Sequence, residues 1–124
     1  MPSQSHIKEI MQRYIDGFNK KDAKAVSFLF SDEARIEDPV GGARIIEGRE
    51  AIDSFYNAAV SNVRELELVA PIRGSHSDAG AMAFIIHTLI DGREVEIHCI
   101  DVMTFNDVGK IVDMKAYWGQ EDIK

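Results

Sequence analysis

What this chain lacks sets the first bounds. Its 124 residues include one cysteine, Cys99, so no disulfide can form within it, and four scattered histidines supply no metal-ligand cluster of recognisable spacing. No apolar run approaches the roughly 20 residues a membrane helix requires. The opening Met1-Pro2-Ser3-Gln4-Ser5 has neither the charged nor the apolar region of a signal peptide, so a soluble, cytoplasmic protein without membrane insertion is expected. Basic residues are in the minority, with 14 Lys+Arg against 21 Asp+Glu and a formal net charge of −7. Nucleic acid and anionic lipid both require a basic face, so neither is an expected partner. Repeats, low-complexity stretches and linkers are also missing. Residues 1–124 therefore read as one domain with one sizeable core.

What is present begins as helix. Ile7, Ile10, Met11, Tyr14, Ile15 and Phe18 recur at spacings of three and four, an apolar stripe on a helix ending near Asn19-Lys20-Lys21. Asp22 is a candidate cap for a second short helix through Ala25, Val26, Leu29 and Phe30, closed by Ser31-Asp32. A strand-like run from Ala34 to Asp38 meets Pro39, which has no amide to donate to a ladder. After Gly41-Gly42, a third helix starts at Gly48-Arg49-Glu50 and carries Ile52, Phe55, Tyr56, Ala59 and Val60. The period then changes to two. Leu66 and Leu68 alternate with Glu65 and Glu67, Ala81 to Ile90 reads as a longer strand, and Asp91-Gly92 is a two-residue hairpin turn into Arg93 to Phe105. Ile111 to Trp118 completes the set after a turn at Asn106–Lys110. The expectation is an α+β domain: three N-terminal helices packed on a strongly curved, mainly antiparallel sheet that encloses an apolar pocket.

Asp101 is the most informative residue. One parity of its strand contains Val95, Ile97, Cys99, Asp101, Met103 and Phe105, so the acid lies on the apolar face, with no Lys or Arg beside it. Such a carboxyl is either held by hydrogen bonds for structure alone or kept protonated as a donor for a substrate oxygen that gains charge. Asp38 repeats the pattern, sharing a side with Ala34 and Ile36. Two acids in one pocket, one ionised and one neutral, suit proton transfer; an Asp before Pro is also a common turn former. Tyr14 stands mid-stripe, either as an amphipathic core residue or as a second donor beside Asp101, with Tyr56 on the third helix as a plausible hydroxyl partner.

Gln12-Arg13-Tyr14-Ile15, Ala34 to Gly41 with its Asp38-Pro39, Gly48-Arg49-Glu50, Phe55-Tyr56, Ile100-Asp101-Val102-Met103 and Met114 to Trp118 together resemble the bacterial ketosteroid isomerases, across nearly the whole chain and in order. That family belongs to the superfamily of cone-shaped α+β domains that includes nuclear transport factor 2. The resemblance implies a cofactor-independent steroid Δ-isomerase. Asp38 would be the base, and Tyr14 and protonated Asp101 the donors to the 3-oxygen of a dienolate. Tyr56 would support Tyr14. A neutral carboxylic acid donor is that family's known device, so its pKa logic comes with the resemblance, whereas the apolar placement of Asp101 is read from parity alone. Phe30 stands where some relatives carry a third tyrosine, which implies a shorter hydroxyl network.

By the same resemblance, Met82, Phe84, Met114 and Trp118 would contact the steroid rings; their bland reading is core packing. Parity groups Met82, Phe84 and Ile86 on one face and Val112, Met114, Ala116 and Trp118 on another. His87 and His98 fall off the Asp101 face and read as structural or interfacial. Lys20, Lys21 and Lys24 read as a solvated helix end, and Cys99 as an inert buried thiol. Ile100 and Val102 form an outward apolar patch, and the family is typically dimeric, so a homodimer is expected. Two other classes stay open. One is another enzyme on the same cone, such as a dehydratase, epoxide hydrolase or polyketide cyclase. The other is a non-catalytic module binding a small hydrophobe.

Overall fold

The apolar stripe of the first helix is its buried face. In a computed structural model describing residues 1–124, helix α1 spans Gln4–Asn19 and buries Ile7, Ile10, Met11, Tyr14, Ile15 and Phe18. Ser3 caps it by accepting from the His6 amide at 3.1 Å. Helix α2 follows at Ala23–Ser27, then strands β1 (Phe30–Glu37) and β2 (Ile45–Glu47), helix α3 (Arg49–Asn62), and strands β3 (Val63–Leu68), β4 (Ala79–Ile90), β5 (Arg93–Phe105) and β6 (Ile111–Tyr117). The six strands form one curled sheet in the order β2-β1-β6-β5-β4-β3, antiparallel throughout except where β1 runs parallel to β6. The Asp91-Gly92 turn forms as expected, with positive φ at both residues (52° and 77°), the geometry of a tight hairpin.

Long-range pairing corrects two expectations and adds one strand. Phe30, read as the end of the second helix, opens β1 instead, because it sits opposite Ile111 in the parallel β1–β6 ladder. Ile45–Glu47, left between a loop and a helix, pairs antiparallel with Arg35–Glu37. In β6, Thr104 faces Asp113 while Phe105 faces Ile111, so Val112 is an extra residue in the ladder. That bulge breaks the simple alternation: Ile111 and Met114 are buried, and Val112 is not on their side.

Polar side chains lock the helices to the sheet. The Asn19 amide at the end of α1 accepts from Leu66 N–H at 2.8 Å and donates to Leu66 C=O at 3.0 Å, borrowing the edge of β3. Lys21, expected as a solvated charge, donates its ammonium to the Val60 carbonyl at 3.3 Å and to that of Val63, where the last carbonyls of α3 lack helical partners. Arg49 reaches Ser27 C=O at 2.9 Å, Asp32 at 3.0 Å and Asp53 at 3.0 Å, tying α2, β1 and α3 together.

Helix α1 lies close enough to β4 that only glycine fits beneath it. A Cβ on Gly80 would stand 2.7 Å from both Ile7 Cγ2 and Met11 Sδ, and 3.1 Å from the Arg73 carbonyl. Gly80→Val should therefore destabilise the protein by about 1–3 kcal/mol through overpacking, read as a lower urea midpoint at unchanged slope; an unaltered midpoint would refute this close approach.

Candidate active site

Tyr14 reaches the site from the middle of α1 and Tyr56 from the middle of α3, and both rings are buried. Their hydroxyls meet at 3.1 Å. The rings cross edge to face at 5.7 Å, and Phe30 packs against Tyr56 at 5.3 Å, closing the hydroxyl network on that side with an apolar ring. Tyr56 Oη also lies 3.7 Å from Met114 Sδ, a weak acceptor. The Tyr56 proton thus has two destinations, and Tyr14 can turn its own proton toward the interior when Tyr56 donates to it.

Asp101 comes from the centre of β5, between Met82 on β4 and Ala116 on β6, and is only 2% exposed. No cation or backbone amide reaches it; its one hydrogen-bond partner is the Cys99 thiol, with Sγ 3.5 Å from Oδ1. Burial, and next the charge of Asp38, push its carboxyl well above the usual carboxylate range. Asp38 follows the last residue of β1 and is held differently. Trp118 donates its indole N–H to Oδ1 at 3.0 Å. Burial raises the Asp38 carboxyl, while Trp118 and the Arg44 guanidinium pull it down. Burial thus raises both acids, Asp101 further than Asp38, which alone has an indole donor and a nearby guanidinium.

A cavity of about 70 Å³ joins these groups, bounded by Tyr14, Asp38 and Asp101 with apolar walls that include Phe18, Phe55, Leu66 and Phe84. The structure therefore brings Tyr14, Asp38, Asp101 and Phe84 to one space, with Tyr56 behind Tyr14. Met82 and Met114, expected on the ring-binding wall, lie outside the lining as buried core residues, Met114 beneath the Tyr56 hydroxyl. Trp118 is at the mouth. There it borders an adjoining open depression of about 600 Å³ with Val40 and Val69, and Phe84 and Cys99 line both spaces.

Sequence reasoning missed Arg44 and the wall residues Phe18 and Leu66. Arg44 lies 4.9 Å over the Phe55 ring and accepts, through its carbonyl, the Asp38 amide at 3.3 Å. Nothing local in the sequence singles out a cation six residues after an acid. Phe18 and Leu66 do carry the periodicity of buried faces, but periodicity does not separate core from cavity wall. His87 pairs with Glu67 at 2.8 Å and His98 with Glu96 at 3.3 Å; neither lines the small cavity, but His98 borders the adjoining depression.

A curled α+β fold encloses an apolar cavity that carries one buried acid, Asp101, and one half-buried acid, Asp38. The chain belongs to the SnoaL-like family, whose domain model matches residues 11–114. It is 34% identical over 119 residues to the steroid Delta-isomerase of Nocardioides simplex, covering 96% of this chain and 94% of that protein. It also superposes with a TM-score of 0.88 on a solved structure of SalBIII, an epoxide hydrolase/cyclase-like enzyme of pyran ring formation in polyether salinomycin. That match is 32% identical and covers 99% of this chain and 98% of the other. Both relatives are enzymes.

The raised Asp101 carboxyl fixes the sign of a stability effect. Above the ordinary carboxylate range the unfolded chain has released this proton and the native protein has not, so the native state binds more protons and stability falls as pH rises toward the folded-state pKa. Urea unfolding across pH 5–8 should show wild type losing stability relative to Asp101→Asn, by up to about 1.4 kcal/mol per pH unit. Parallel pH profiles for the two proteins would mean that Asp101 is ionised in the fold.

Proposed function

We propose that the protein is a steroid Δ-isomerase, converting 3-oxo-Δ5-steroids to 3-oxo-Δ4-steroids without a cofactor. The observation that carries this reading is an apolar cavity with three unlike polar groups: an ionisable carboxylate held by an indole, and two proton donors, Tyr14 and Asp101. Asp38 removes the proton from the carbon between the 3-ketone and the C5–C6 double bond. The released electron pair forms a dienolate whose oxygen gains charge, and Tyr14 and neutral Asp101 donate to it in a space from which water is excluded. Asp38 then returns the same proton to C6, which leaves the double bond conjugated with the ketone. Trp118 keeps Asp38 oriented, and Tyr56 donates to Tyr14 as Tyr14 turns to the substrate.

The size of the site fits a ligand only partly enclosed. Small-molecule pockets commonly measure about 300–1,000 Å³, so the 70 Å³ cavity takes the reacting ring and the adjoining apolar depression takes the rest. Trp118 and Phe84 border that path, in keeping with a ring-contact role; Met82 and Met114 act one layer behind. A second reading has support from the likeness to SalBIII. A neutral acid and a carboxylate base also suit epoxide opening, with Asp101 protonating the epoxide oxygen and Asp38 activating the attacking hydroxyl. Isomerisation is favoured because it needs no further nucleophile, and beyond Tyr14, Asp38 and Asp101 the only polar side chain on the cavity wall is the Cys99 thiol.

The deciding assay is the rise of conjugated-enone absorbance when a 3-oxo-Δ5-steroid is added. Asp38→Asn should cut kcat by roughly 10²–10⁴ while steroid still binds. Tyr14→Phe and Asp101→Ala should each cost about 10²–10³ in kcat, the scale of one oxyanion donor. Steroid binding without turnover by the wild-type protein would remove the isomerase reading. We further propose a homodimer formed through the outer sheet face, where Ile100 is 47% exposed and Val102 lies beside it. Sedimentation should give a dimer at micromolar concentration that Ile100→Glu shifts toward monomer; a monomeric wild type would refute it.

A further inference from the structure

The geometry points to Cys99 as a positioning residue for Asp101: its thiol engages one carboxyl oxygen, so that the acid's own proton resides on the other oxygen, which opens to the cavity. The inference rests on the reading of Asp101 as a neutral oxyanion donor and names the group that orients it.

Cys99 and Asp101 stand two residues apart on the inner face of β5, both buried and both on the cavity wall. The Cys99 Sγ to Asp101 Oδ1 contact of 3.5 Å is the only hydrogen bond the carboxyl makes. Across the protein, the only buried side-chain oxygen or nitrogen without a partner is Ser31 Oγ. The second oxygen of Asp101, which has no partner, is therefore not sealed in the core but open to the cavity it borders.

The chemistry follows from which group can donate. A neutral carboxyl has one carbonyl-type acceptor and one O–H donor, and a thiol is a weak donor and a weaker acceptor. Burial above all pushes the Cys99 thiol far up, so the sulfur carries its proton at any working pH. The S–H donates to Oδ1 and marks it as the carbonyl oxygen, and the acid proton lies on Oδ2. With an apolar side chain at position 99, the carboxyl would be free to rotate and to present its acceptor to a substrate oxygen that carries negative charge. Two like oxygens facing each other repel, so the rotated form is unproductive. The thiol is suited to this task because it donates without ionising and occupies the volume of a small apolar group.

The test combines kinetics on the steroid with a readout that needs no turnover. Cys99→Ala should lower kcat about tenfold at unchanged KM, the scale of one modest hydrogen bond, and Cys99→Ser, whose hydroxyl donates to the same oxygen, should restore most of it. In the infrared spectrum of the free protein, the S–H stretch should move to higher frequency in Asp101→Leu, because the thiol loses its acceptor. Equal impairment of the Ala and Ser variants would assign Cys99 to packing alone and overturn the proposal, as would wild-type kcat in Cys99→Ala. An S–H band unmoved by Asp101→Leu would overturn the hydrogen bond itself. A wild-type protein that binds steroid without turning it over would remove the isomerase reading, and the thiol band would then decide the Cys99–Asp101 contact by itself.

Discussion

The structure is organised around one costly fact, a carboxyl group placed in the middle of an apolar sheet face with no cation to meet it. A buried, unpaired carboxylate loses its hydration without compensation, so burial pushes the Asp101 carboxyl well above the usual carboxylate range. Its neighbours then follow a consistent logic. Met82 and Ala116 flank it in the ladder and bring no polar group, and the one partner is a thiol that donates weakly. The second acid, Asp38, is placed at the end of β1, where Trp118 and Arg44 favour its charged form. Two side chains of the same type are both raised by burial, Asp101 the further, because only Asp38 has an indole donor and a guanidinium to offset it.

The helices supply the rest of the polar chemistry without weakening the core. Tyr14 and Tyr56 bury large apolar rings and satisfy each other's hydroxyls, so the pair contributes packing in the resting protein and a proton donor when a ligand oxygen arrives. Phe30 ends this network with an apolar ring against Tyr56, leaving Met114 sulfur as the only other acceptor near it. The close approach of α1 over Gly80 and the Asn19 clasp on Leu66 set the height of Tyr14 above the sheet. A small displacement there would move the hydroxyl out of range of a shared substrate oxygen, and for such groups position matters as much as identity.

Much of this was legible in the chain because β5 has two clean faces. A period of two over thirteen residues makes Asp101 an outlier among Ile97, Cys99, Met103 and Phe105, and no tertiary contact is needed to see it. The stripe on α1 likewise marked Tyr14 as buried. Phe30 was misplaced because its helix-like surroundings yield to a parallel pairing with Ile111, about eighty residues away. Val112 was assigned to the wrong face because a bulge inserts one residue and reverses parity beyond it. Arg44 gave no local sign, since its effect on Asp38 comes from the path of a loop that stacks it on Phe55.

By itself, then, the sequence determined which side chains are withdrawn from water, since burial follows from hydrophobic period, and with it the apolar placement of Asp101. Only the tertiary structure decided which buried groups share a cavity and which lie behind it. Met82 and Met114 satisfy the same pattern as Phe84, but the curl of the sheet turns Phe84 into the open space and leaves the two methionines in the packed layer. Periodicity specifies the direction in which a side chain points. The distance at which it meets another element is set by the curvature of the sheet and the seating of the helices on it.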